Sequence, residues 1–177
     1  MDKTEKQLST RKIYDGHILN LRVDEIKQPN GILSKREIVE HKDAVALLAV
    51  DDYGLLLFVS QYRYAAGAEL LEIPAGLVED GEDPKDTAVR ELQEECGYKP
   101  EHIEKICAFF CSPGFSTEKL HVYFADKLTE SRLPQDEDEI IEVVRLSLSE
   151  AEEKIKSGEI RDAKTIAAIY WYGRYHA

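Results

Sequence analysis

Cysteine is scarce in this chain, and what there is does not pair. Cys96, Cys107 and Cys111 are odd in number and show no C-x-x-C spacing, which argues against a disulfide framework and a zinc site and leaves reduced thiols filling core positions. Long hydrophobic runs are missing too. The longest, Ala44 to Val50, falls far short of the roughly 20 residues that span a bilayer. The polar stretch Met1 to Arg11 cannot be the apolar segment of a signal peptide. The expectation is a cytoplasmic protein with no membrane partner. No basic stripe stands out either: with 35 acidic against 23 basic residues, for a net charge of −12, the chain would repel a phosphate backbone, and nucleic acid is not an expected partner. An acidic protein can still handle anionic substrates if divalent cations on its carboxylates present a positive surface.

What is there is the composition of a folded domain: 177 residues, 43% of them hydrophobic, enough to bury a full core. Ile18 to Lys27 and Ile32 to His41 flank Gln28-Pro29-Asn30-Gly31, and an Asn-Gly pair between two such runs predicts an N-terminal hairpin. Ala44 to Val50 and Leu55 to Gln61, around Asp51-Asp52-Tyr53-Gly54, read as a second hairpin lying inside a sheet. Leu71 to Pro74 is a short extended piece, and Ile106 to Cys111, Leu120 to Ala125 and Val143 to Leu148 are further strands. A helix from Ser147 or Ser149 ends at Gly158, and Asp162 caps a last one.

The clearest helix runs from Pro84 to Cys96. Asp83 is a good N-cap, Pro84 sits where its missing N–H costs nothing, and Gly97 is placed for the stop. Ala88, Val89, Leu92 and Cys96 form its apolar stripe, while Glu91, Glu94 and Glu95 crowd one neighbouring face. Like charges four apart destabilise a helix, and here they stand beside the buried stripe, where screening is poor. Something cationic should sit among them. Mg²⁺, which prefers hard oxygen ligands shared with substrate phosphates, suits the triplet. A solvated face neutralised by Lys or Arg, with Arg90 at hand, is the other reading.

Gly76, Glu82, Arg90, Glu91, Leu92, Glu94, Glu95, Gly97 and Tyr98 stand in the spacing G-x₅-E-x₇-R-E-U-x-E-E-x-G-U, with U a bulky apolar residue. This resembles the Nudix hydrolase box, departing from it only at Tyr98, where the family prefers an aliphatic side chain. The resemblance implies an α/β fold of the α+β type, an α/β/α sandwich with a mixed central sheet and an N-terminal hairpin extension. It implies Glu91, Glu94 and Glu95 as metal ligands, the Ala75 carbonyl as a further one, Arg90 and Glu82 as orienting groups, and Mg²⁺ as cofactor with Mn²⁺ as the alternative.

Pro113, sixteen residues beyond Gly97 inside Ser112-Pro113-Gly114-Phe115, is similar to the marker of the ADP-ribose pyrophosphatase branch; a Ser-Pro-Gly turn in any β protein would look the same. That branch implies Arg36 and Arg63 as substrate contacts, suited to phosphate by their planar forks, and Glu118 near the metals. His17 stands where the branch can place an adenine-stacking side chain, though a hairpin-edge histidine is also plain surface. Either Glu137 or Glu139, in the acidic run 136–139, is the expected general base. The implied reaction is Mg²⁺-dependent hydrolysis of a nucleoside diphosphate sugar, ADP-ribose first, GDP-mannose or another nucleotide sugar as the alternative, and a non-catalytic nucleotide-binding regulator as a third. The resemblance further implies a homodimer built through residues 1–42, with the hydrolase domain over 43–177.

Overall fold

A computed structural model of the chain describes residues 2–135 and 140–176. They divide into two compact units, one of Met1–Asp43 with Phe109–Leu120 and one of Ala44–Ala108 with His121–Ala177.

The first unit is a three-stranded antiparallel sheet of β1 (Lys6–Asp15), β2 (Leu19–Lys27) and β3 (Leu33–His41). The expected hairpin is β2 and β3. Gly31, at φ 88°, donates its N–H to the Gln28 carbonyl at 2.8 Å, a conformation that glycine adopts without a Cβ penalty. The sequence predicts two strands here, and the structure has three. β1 is exposed along its whole length, so no apolar alternation marked it; only its backbone ladder to β2 makes it a strand. The same unit holds the 112–116 turn, tied to β3 by the Val39 N–H to the Phe115 carbonyl at 2.8 Å and the Thr117 N–H to the Val39 carbonyl at 3.0 Å.

The second unit is built on β4 (Ala44–Val50), β5 (Leu56–Arg63), β6 (Ala68–Glu72), β7 (Ala75–Leu77), β8 (Tyr98–Phe110), β9 (Lys119–Glu130) and β10 (Ile141–Leu146), where the last residues of β8 and the first of β9 belong to the other unit. The sheet runs in the order β10-β5-β4-β9-β8, with β6 beside β5 and β7 beside β4. It is a mixed sheet with helices. β4 is buried throughout, as its unbroken apolar run requires of a strand covered on both faces. β4 and β5 form the expected hairpin only at the turn, where Ala49 and Val50 face Leu57 and Leu56; further along, β4 pairs instead with β7. β8 and β9 are longer than their apolar stretches, since their outer residues are exposed and carry no hydrophobic signal.

α1 (Pro84–Glu91) continues through a π-helical turn, Leu92–Cys96. It lays Ala88, Leu92 and Cys96 on Val45, Leu47, Ala49, Leu57 and Val59 of the sheet. The remaining helices are α2 (Leu148–Ser157), opened by a capping box between Ser147 and Glu150, and α3 (Ala163–Tyr175), capped by Asp162. No helix among the described residues is long and apolar enough to cross a membrane.

Candidate active site

The carboxylate segment is held at both ends by local chemistry. Asp83 accepts the Lys85 N–H at 2.8 Å, Pro84 occupies the first turn, and Gly97 ends the segment at φ 78°. The widened turn between Leu92 and Cys96 was not legible from the sequence. Opening one turn shifts Glu94 and Glu95 around the axis relative to Glu91, and such turns recur at functional sites.

Glu91 and Glu95 are buried, at 9% and 4% exposure, and Glu94 is half-buried. Three carboxylates in one turn therefore need compensation in a poorly screened place. Arg90 supplies much of it. Its guanidinium reaches Glu91 Oε1 at 2.8 Å and Glu94 Oε2 at 2.7 Å through Nη1, and both oxygens of Glu82 at 3.1 and 3.2 Å through Nε and Nη2. Nη2 also approaches the Leu77 carbonyl at 3.4 Å. Burial alone would lower the Arg90 pKa, but its carboxylate neighbours override this and raise it, while the hydrogen bond from Arg90 holds Glu82 below its usual range. Glu95 turns the other way and accepts the Ala75 N–H at 3.2 Å.

Gly76 completes the arrangement. A Cβ built there would lie 2.6 Å from Glu91 Oε2 and nearer still to Oε1 and Cδ. The absent side chain is the space in which the Glu91 carboxylate rests. The donor set, oxygen only and clustered on one turn beside the 75–77 backbone, has the chemistry of a divalent-cation site. With Arg90 bridging Glu91 and Glu94, no group of three or more His, Cys, Asp or Glu side chains among the described residues is disposed around a single ion.

The other expected residues fall in two places. Arg63, at the end of β5, is paired bidentately with Glu72, at 2.8 and 3.1 Å. Glu72 is 2% exposed and also pairs with Lys164, which reaches Asp162 at 3.1 Å. This network was missed in the sequence; its signal was a carboxylate inside the apolar run Leu70-Leu71-Glu72-Ile73. Arg36, His17, Pro113 and Glu118 all belong to the first unit. Arg36 pairs with Glu5, with Nε at 3.0 Å from Oε2. Pro113 is exposed in the turn fastened to β3, Glu118 is half-buried at its far end, and His17 is exposed between β1 and β2. Glu137 and Glu139 lie outside the described residues.

Comparison with known proteins gives concordant matches. The NUDIX domain matches residues 40–169, and the nucleoside diphosphate sugar hydrolase N-terminal domain matches residues 5–39. An ADP-ribose pyrophosphatase of Bacillus subtilis (strain 168) is 44% identical over 94% of this chain and 91% of its own length. A methanol dehydrogenase activator of Bacillus methanolicus is 43% identical over the same shares. Among solved structures, one described as an ADP compounds hydrolase superposes with a TM-score of 0.89 over 99% of this chain and 98% of its own, at 20% identity. At that identity the likeness speaks for the fold.

Proposed function

The chain belongs to the NUDIX family and is a Nudix hydrolase, and from that premise we propose that it cleaves the pyrophosphate bond of ADP-ribose to give AMP and ribose 5-phosphate. The observation that carries the proposal is the Glu91 carboxylate seated in the space left by Gly76, beside buried Glu95. Carboxylates buried at such cost to helix stability have a use. The 44% identity to an ADP-ribose pyrophosphatase over nearly the whole chain supports this substrate.

Glu91, Glu94 and Glu95 with the Ala75 carbonyl are the proposed ligands of a divalent cation, taken to be Mg²⁺. Such an ion, when bound, neutralises pyrophosphate charge and lowers the pKa of a bound water. Arg90, itself paired with Glu82, holds Glu91 and Glu94 in register, and the Ala75 N–H holds Glu95. Gly76 leaves the backbone low enough for Glu91 to lie against it. Arg36 and Arg63 are the proposed substrate contacts, their present partners Glu5 and Glu72 keeping each fork oriented. The water oxygen bonds to one phosphorus as the bridging P–O bond breaks, and Glu137 or Glu139 is the proposed acceptor of the water proton.

A homodimer through residues 1–42, with residues 43–177 as the hydrolase domain, completes the proposal. Leu8 at 51% and Leu33 at 68% exposure line one hollow of this unit, an apolar surface of the kind that a partner covers.

The test is a panel of nucleoside diphosphate compounds assayed with Mg²⁺ and ranked by kcat/KM and products. ADP-ribose should lead, and Glu94→Gln should lose most turnover while keeping its melting temperature. GDP-mannose in first place, or full activity in Glu94→Gln, would overturn the proposal. The relative named a methanol dehydrogenase activator favours one second reading, action on another enzyme. Adding a methanol dehydrogenase to the assay and following its rate separates the two.

A further inference from the structure

At the far end of the carboxylate helix the second unit has a cavity of about 500 Å³, with Tyr98, Glu130, Ser131, Arg132 and Arg145 in its polar lining and Cys96 at its floor. On the helix the carboxylate nearest to it is Glu95, which directly precedes Cys96, while Glu91 stands further back along the segment. Glu91 rests against Gly76, which faces Val45 at the start of β4, whereas Arg145 approaches Asp51, beyond the end of that strand. In the sheet register Arg145 is level with Leu57 and Leu57 with Ala49, four residues of extended chain from Val45, roughly 13 Å.

Arg132 is held in place by its neighbours. The Ser131 N–H donates to the Gly97 carbonyl at 2.9 Å, the Leu133 N–H to the Gln93 carbonyl at 3.2 Å, and Gln93 Nε2 to Ser131 Oγ at 2.8 Å. Its guanidinium then lies so close to Gly97 that a Cβ there would meet Nη2 at 2.9 Å and Nε at 3.0 Å. Yet Arg132 has no hydrogen-bond or ion-pair partner among the described residues, in a chain with 35 acidic residues to 23 basic ones. Arg145 lines the same hollow. Its Nη2 donates to the Tyr98 hydroxyl at 2.9 Å and its Nε is 3.5 Å from Asp51, so Nη1 is used in neither contact. The carbonyls ending the helix favour one nearby cation. They do not account for two guanidiniums in one hollow, which repel unless an anion comes between them.

We infer that this cavity binds a phosphate group, free or as the end of a small phosphomonoester, between Arg132 and Arg145 with the Tyr98 and Ser131 hydroxyls beside it. The hydroxyls are suited to the task. Tyr98 already accepts from Arg145, and Ser131 from Gln93, so each has its own proton to give to a phosphate oxygen. Tyr98 is the one position where this chain departs from the family's box, and the departure supplies that hydroxyl. Three terminal oxygens match two forks and two hydroxyls better than the two of a carboxylate. Exposed Glu130 is the one acid in the lining, and Asp51, outside it, meets only Arg145. Cys96 adds no charge, since burial pushes its thiol up to about 12. A nucleotide sugar carries no phosphomonoester, so this is not a second substrate site. The products of pyrophosphate cleavage do carry one; that link rests on the proposed hydrolysis, while the binding itself does not.

The test is calorimetric titration of the full chain in EDTA with inorganic phosphate, ribose 5-phosphate and AMP in turn. At least one should bind with a dissociation constant below about 1 mM. Arg132→Gln, at an exposed position whose loss leaves the core intact, should weaken that binding about tenfold or more, as should Arg145→Gln. Glu94→Gln should leave it unchanged, and the tightest of the three ligands tells free phosphate from an ester. No heat with any of the three, undiminished binding in Arg132→Gln, or binding lost in Glu94→Gln would each overturn the inference. Turnover plays no part in the readout, so a wrong substrate assignment would leave the result standing.

Discussion

Replacing Gly76 by alanine should disable the enzyme with almost no change in composition. The added Cβ would stand 2.6 Å from Glu91 Oε2 and closer to the other carboxylate atoms, against an optimum near 3.5 Å between heavy atoms. Glu91 must therefore move by about 1 Å or more, or β7 must shift away from β4. Gly76 is not among the glycines with positive φ, so the backbone tolerates alanine and the effect is purely steric. Displacements of this size in a reacting constellation cost on the order of 10²-fold in rate, and overpacking of this kind costs about 1–3 kcal/mol of stability. The assay is AMP release from ADP-ribose with saturating Mg²⁺, paired with thermal unfolding. A double-mutant cycle sharpens it: in a Glu91→Ala background the three atoms nearest the new methyl are gone, so the second substitution should add less than it costs alone. Activity within twofold of wild type in Gly76→Ala, or strictly additive losses in the cycle, would refute the account of why this glycine is here.

Three further outcomes follow from the packing and charge of the second unit and the surface of the first. Leu92, fully buried against the sheet, should cost about 2–5 kcal/mol when cut to alanine, read from denaturant unfolding. Burial would raise the pKa of Glu72, but hydrogen bonding from Arg63 and the charge of Lys164 outweigh it and hold the group below its usual range. Its stabilisation is thus full above an unfolded pKa of about 4.3 and fades as pH falls through the lowered folded value. Melting temperatures measured from neutral to acid pH should show a steeper acid decline in wild type than in Glu72→Gln, and parallel curves would count against the network. Leu33→Asp, at an exposed apolar position of the first unit, should shift the proposed homodimer to monomer in size-exclusion chromatography with light scattering.

Much of the site was readable because its parts are near in sequence. Asp83, Pro84 and Gly97 mark a helix by local rules, and i,i+3 and i,i+4 spacing brings Glu91, Glu94 and Glu95 together within about one turn. The crowding required a cation, and in the structure Arg90 meets part of that need. Strands with unbroken apolar runs, such as β4, announced themselves for the same reason: burial on both faces leaves no choice of side chain. β1 did not, because a strand exposed on both faces is held by backbone hydrogen bonds that any residue can make.

Tertiary structure alone decided what stands against what. That Gly76 is the floor under Glu91, fifteen positions away, depends on β7 pairing with β4 beside the helix. That Arg63 faces Glu72, and Glu72 faces Lys164 across 92 positions, depends on how α3 lies against the sheet. Arg132 and Arg145 are unremarkable in the sequence, and become a pair only because the chain after β9 is fastened to the end of the carboxylate helix. Local sequence sets the chemistry that each segment carries, since backbone hydrogen bonding and side-chain period act over a few residues; long-range packing sets which chemistries meet, since it is settled by the burial of the whole core.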